Sequence, residues 1–183
     1  MEEKLISKKK PFFSISNELS LFLKKYDRWM VTSICYDDLL RFSGSVTVYD
    51  KNDDDTLWVR VYYSDSDRVE IDFNLKTIYT SLHSDGNISS LPDLNIDAID
   101  YCTFGNSKPF RIKIRNILND NFTYFYVKKT DASRVYGLEF EHILSPYNLN
   151  YMVNNDTLIE EHISGIPGCL LYTSPSPRDS GKS

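Results

Sequence analysis

The chain has 183 residues, enough for one domain or two small ones. Its 41% hydrophobic and 26% charged content are ordinary for a soluble globular protein, and 13 Tyr with 10 Phe lean toward strands. A formal charge of −5 argues against a general nucleic-acid or anionic-membrane binder, and no apolar run approaches the roughly 18 residues that span a bilayer.

Residues 1–13 read as a basic leader containing Lys8, Lys9 and Lys10, and no apolar stretch follows them to make a secretory signal. Cys35, Cys102 and Cys169 are odd in number and widely spaced, which fits neither a disulfide framework nor a zinc site. They point to a reducing cytosol, so a cytoplasmic location is expected. Without a signal, the Asn-x-Ser/Thr triplets beginning at Asn87, Asn121 and Asn155 are read as chance matches.

Between Ser14 and Thr32, the residues Ile15, Leu19, Phe22, Leu23, Tyr26 and Met30 recur at helical spacing, with Ser14 or Ser16 as cap. Lys24, Lys25 and Arg28 mark the other face, and residues 37–42 read as one more helical turn. A meander is expected next: strands over 43–50, 56–63 and 68–73, the last extending toward Leu82, with Asp/Asn/Ser turns at 51–55 and 64–67. Its apolar face would hold Val46, Val48, Leu57, Val59, Val61, Val69, Ile71 and Phe73, covered by the N-terminal helix.

Residues 83–93 form a loop, 94–104 a strand and 105–109 a tight connection. Residues 110–129 form a hairpin around the turn at 118–121. A helix follows, capped by Thr130 or Asp131, with Val135, Leu138 and Ile143 toward the sheet and Pro146 ending it. Gly137 in its interior costs about 1 kcal/mol against alanine, which suggests close packing there. A weaker strand and then an apolar strand closing on EEHISGIPG complete the pattern. The expected class is α+β, with a helix-plus-meander segment over 14–93 and a second antiparallel sheet with one helix over 94–168. Residues 169–183 are Ser/Pro-rich, lack periodicity and resemble translated sequencing-adapter read-through, so a non-native tail is expected there.

The order of parts in 105–168 suits phosphoryl transfer, where the protein mostly positions groups and neutralises charge. A rigid strand must offer a lysine to the phosphates, and a carboxylate on a neighbouring helix must hold that lysine. Lys128 and Lys129 lie on opposite strand faces, and Lys128, in line with Phe122, Tyr124 and Tyr126, is the preferred phosphate lysine. Glu139 sits at the edge of the helix's apolar stripe, within reach of a strand lysine; Glu141 points more outward. Gly105, with Asn106, Ser107 and Lys108, is the best substitute for a glycine-rich phosphate loop. The plainer reading makes these lysines and acids solvated surface charges. Asp93-x-Asn95-x-Asp97 lacks the turn glycine and distal Glu of a calcium loop.

The closing TLIEEHISGIPG resembles the inter-lobe linker of aminoglycoside phosphotransferases and choline kinase-like enzymes, of the protein-kinase-like superfamily. Glu161, His162, Ile163 and Gly165 fall on that linker. The resemblance implies ATP and Mg2+ as cofactors, with the Glu161 carbonyl and the Ile163 amide bracketing the adenine edge. It also implies that Lys128 and Glu139 form the lysine–helix pair. No His-x-Asp loop or metal-binding Asp-x-Gly follows the linker, so this chain alone is expected to be inactive. A nucleotide is the expected partner, and the phosphate acceptor stays open. The alternative is a non-catalytic β-rich binding module or a pseudo-enzyme regulator built on the same lobe.

Overall fold

In the computed structural model, which describes residues 11–31, 34–83 and 88–163, seven strands join in one sheet. In chain order the elements are α1 (Asn17–Lys25), α2 (Tyr36–Leu39), β1 (Gly44–Tyr49), β2 (Asp55–Tyr62) and α3 (Asp65–His83). A 3-10 turn over Ile88–Asp93 leads to β3 (Leu94–Cys102), β4 (Phe110–Asn116), β5 (Phe122–Lys129), α4 (Ala132–Leu144), β6 (Tyr151–Asn154) and β7 (Thr157–Glu161). The strand order is β1-β2-β3-β4-β5-β7-β6, and every neighbouring pair is antiparallel. The fold is therefore α+β. Because β2 pairs with β3, the segments 14–93 and 94–168 contribute strands to one continuous sheet.

Helices lie on both faces. On one, Ile71, Leu75, Ile78 and Leu82 of α3 and Leu39 of α2 pack with Phe110, Ile112, Phe125 and Ile159. On the other, Leu19 and Leu23 of α1 and Val135 and Leu138 of α4 pack over Tyr151, Val153 and Leu158. Alternation along each strand makes this possible: Phe125 and Val127 point one way, Tyr124, Tyr126 and Lys128 the other.

The cap at Ser16 forms as one of the two expected, its hydroxyl accepting from the Leu19 amide at 3.2 Å. Asp131 caps α4, accepting from the Arg134 amide at 3.1 Å. The segment 68–82, expected as a strand, is instead the body of α3. Ser64 caps it, accepting from the Asp67 amide at 3.3 Å. Its buried aliphatic residues, Ile71, Leu75, Ile78 and Leu82, fall at intervals of four, three and four, a helical face, while Val69 and Phe73 are exposed. Burying four such aliphatic side chains contributes about 1.5–3 kcal/mol each. That outweighs a β preference worth about 1 kcal/mol across the whole scale.

Three smaller expectations are also corrected. The apolar face of the first hairpin divides, because Val46 and Val48 pair with Arg60 and Trp58 while Val59 and Val61 face α3. Ile143 points to solvent, 76% exposed, since the α4 stripe that meets the sheet ends at Leu138 and Glu139. Nothing lies within 4 Å of where a Gly137 side chain would begin, so that glycine is not explained by close packing.

Candidate functional site

The register of β4 on β5 pairs Phe110 with Val127. It therefore sets the 103–109 loop and the Lys128–Lys129 strand end at the same end of the sheet. Gly105 turns that loop with φ +82°, a left-handed conformation that suits glycine. Asn106 and Ser107 then line a cleft of about 500 Å³ together with Pro11, Phe12, Lys128, Lys129, Thr130, Asp131 and Arg134. The first turn of α4 closes one side, because Asp131 ends β5's extension and starts the helix.

The charge at the cleft is organised by an acid that sequence reading did not single out. Lys128 forms an ion pair with Glu160 of β7, which is only 5% exposed. Leu158 is the residue opposite Lys128, so Glu160 lies two residues along on the same sheet face. The other carboxylate oxygen of Glu160 accepts from Arg134 Nη2 at 2.9 Å. One buried acid thus holds two cations. Lys129 points to the opposite face, 3.0 Å from Asp37 and 3.3 Å from Asp156. Its hydrogen bond to Asp37 holds the ammonium pKa above its ordinary value.

Glu139 is buried, as expected at the stripe edge, but does not meet Lys128. It accepts from the Tyr151 hydroxyl, and its Oε1 lies 2.9 Å from Arg28 Nε, off the N–H axis, as an ion pair. Burial pushes the Tyr151 phenol up, and the neighbouring carboxylate adds to the shift, so the hydroxyl stays a donor. Glu139 therefore ties α4 to β6 and to the chain after α1. Glu141, the other helical acid considered, is half-buried.

On the linker, the Glu161 carboxylate accepts from the Asn150 amide at 2.7 Å and the Asn150 side chain at 3.1 Å. The His162 ring lies 3.1 Å from the Tyr126 hydroxyl, and Ile163 is 64% exposed. Gly165 lies outside the described residues. The cleft-facing strand face continues away from Lys128 through Tyr126 and Tyr124, with the Arg111 guanidinium over the Trp58 and Tyr124 rings.

Among the described residues no three His, Cys, Asp or Glu side chains converge to hold a metal ion. Asp97 of the Asp-x-Asn-x-Asp run is engaged by Arg115 at 3.0 Å and by Asn95 at 2.8 Å. Among these residues, no helix is long and apolar enough to cross a membrane. No protein-family model matches the chain, and comparison with curated proteins and with solved structures finds no match.

Proposed function

We propose that this chain carries the nucleotide-binding small lobe of a cytoplasmic ATP-dependent phosphotransferase. One observation carries the reading: Asn106 and Ser107, just after the turn at Gly105, line a single cleft with the strand lysine Lys128 and with Arg134 in the first turn of α4. A triphosphate needs cations on rigid elements and amide donors near them. Lys128 and the 105–107 backbone are the groups to hold the phosphates, with the Glu161 carbonyl and Ile163 amide taking the adenine edge. Bound ATP would supply the transferable phosphoryl group. Mg2+ would be carried in on the nucleotide's own oxygens; among the described residues no three acidic side chains converge to hold it separately.

The lysine–helix pair implied by the family resemblance is replaced here. Lys128 is held by Glu160, and Glu139 is held by Arg28 and Tyr151. That substitution favours a second reading, in which the same lobe binds a nucleotide but serves as a regulator without chemistry.

Calorimetric titration of Mg-ATP into the wild type and Lys128→Met tests the proposal. Saturable binding weakened about ten-fold or more by the substitution is expected. A wild-type protein that ignores Mg-ATP overturns it. The two readings separate on the protein of a full-length clone: turnover of ATP supports the enzyme, and binding without turnover supports the regulator.

A further inference from the structure

We infer that Arg134 is a second phosphate-binding cation, and that Glu160 is the positioning residue that sets it beside Lys128. This deepens the small-lobe proposal and rests on it. Arg134 sits in the first turn of α4 and lines the same cleft as Lys128. Its side chain is half exposed, while the carboxylate it contacts is almost wholly buried. A guanidinium carries five N–H donors in a planar fork, and Nη2 is the one directed to Glu160 at 2.9 Å. The fork geometry suits phosphate oxygens as it suits carboxylates.

The charge arrangement explains why the acid belongs there. Two cations brought together without an anion would repel, and each would seek solvent along its own rotamers. Glu160 removes that repulsion and fixes both ammonium and guanidinium from beneath. Lys128, Arg134 and Glu160 sum to one positive charge, against the one negative charge of the Asp131 carboxylate in the same cleft. Asp131, which also lines it, is engaged with the Arg134 amide and the Ser133 hydroxyl at the helix start. Glu160 comes from β7, next to the lysine strand, and not from the helix. Its grip on Lys128 therefore follows from strand pairing and is independent of any α4 movement.

The test compares inorganic tripolyphosphate, Mg-ATP and adenosine in calorimetric titrations of the wild type, Lys128→Met, Arg134→Gln, Arg134→Lys and Glu160→Gln. Thermal melts confirm that each variant folds. Arg134→Gln is expected to weaken tripolyphosphate and ATP about ten-fold and to leave adenosine unchanged. Arg134→Lys should recover only part, having the charge without the fork. The dependence of affinity on salt should become shallower in Arg134→Gln. Glu160→Gln should weaken tripolyphosphate about three-fold, through loss of alignment.

If Arg134→Gln binds tripolyphosphate like the wild type while Lys128→Met does not, the two-cation clamp is wrong and the small-lobe reading survives. Tighter binding by Glu160→Gln makes Glu160 a competing counter-ion and overturns its positioning role. A wild type that binds neither tripolyphosphate nor ATP removes the small-lobe reading itself, and the clamp with it.

Discussion

Replacing Glu139 by alanine tests what this acid does. Its side chain is 11% exposed and its ion-pair partner Arg28 is 20% exposed. Removing one member of a buried pair typically costs 3–5 kcal/mol, because the other charge is left without compensation. Two features place this site at the lower end. Arg28 keeps some access to water and rests against the Tyr26 and Tyr151 rings. The Tyr151 hydroxyl, however, loses its acceptor, which adds about 1 kcal/mol. The expected loss for Glu139→Ala is therefore about 4 kcal/mol. Glu139→Gln, which keeps an oxygen for Tyr151, should lose about half of that. Combining Glu139→Leu with Arg28→Met should fall within about 1 kcal/mol of the wild type, since an apolar pair of similar volume can replace a buried ion pair. Urea unfolding followed by far-UV circular dichroism gives these values, provided the slope with denaturant is unchanged. A loss below about 0.5 kcal/mol for Glu139→Ala would refute the structural role and return Glu139 to the pool of available helix carboxylates.

Gly137→Ala should stabilise the protein by about 1 kcal/mol, since an added methyl meets nothing within 4 Å and the helix gains propensity. A melting midpoint raised by about 2–4 °C checks this, and a fall would mean that the position has a steric demand. In α3, Leu75→Ala should cost about 2–5 kcal/mol and Phe73→Ala under about 0.5 kcal/mol, because Leu75 is 0% and Phe73 61% exposed. Reversed losses would restore the strand. Burial pushes the Asp97 carboxyl up, but hydrogen bonds from Arg115 and Asn95 outweigh it and hold the group below its ordinary value of 3.8. Its folded pKa is depressed, so its stabilisation is present above pH 3.8 and disappears as pH falls through the lower folded value. Asp97→Asn should therefore flatten the acid limb of a stability–pH curve, and an unchanged limb would contradict the pairing.

What could be read from the sequence followed the range of the physical signal. The hairpin 110–129 was legible because FRIKIRNI alternates strongly and the apolar run FTYFYVKK follows across the polar turn LNDN. The α4 start was legible because Asp131 or Thr130 precedes a helical stripe. The stretch RVEIDF also alternates, and it misled: its helical face becomes visible only when Ile71 is read together with Leu75, Ile78 and Leu82. That Lys128 and Lys129 lie on opposite faces of a strand end, with Lys128 preferred, could be read locally. The partner of Lys128 could not, because Glu160 meets it through pairing of β5 with β7, a contact across some thirty residues of chain. Arg134 was hidden for the same reason. A first-turn arginine looks like a surface charge until the strand beneath it is known to carry an acid. Glu139 was correctly placed at the edge of a buried stripe, but the arginine it meets lies after α1, more than a hundred residues earlier.

Amide chemical shifts recorded while Mg-ATP is added to isotope-labelled protein test the central claim most directly. The account predicts progressive movement of Gly105, Asn106, Ser107, Lys128 and Arg134, with the far edge strand β1 unmoved. Shifts confined to another surface, such as the cleft beside Arg28, His142 and Asn150, or no shifts at all, would contradict it.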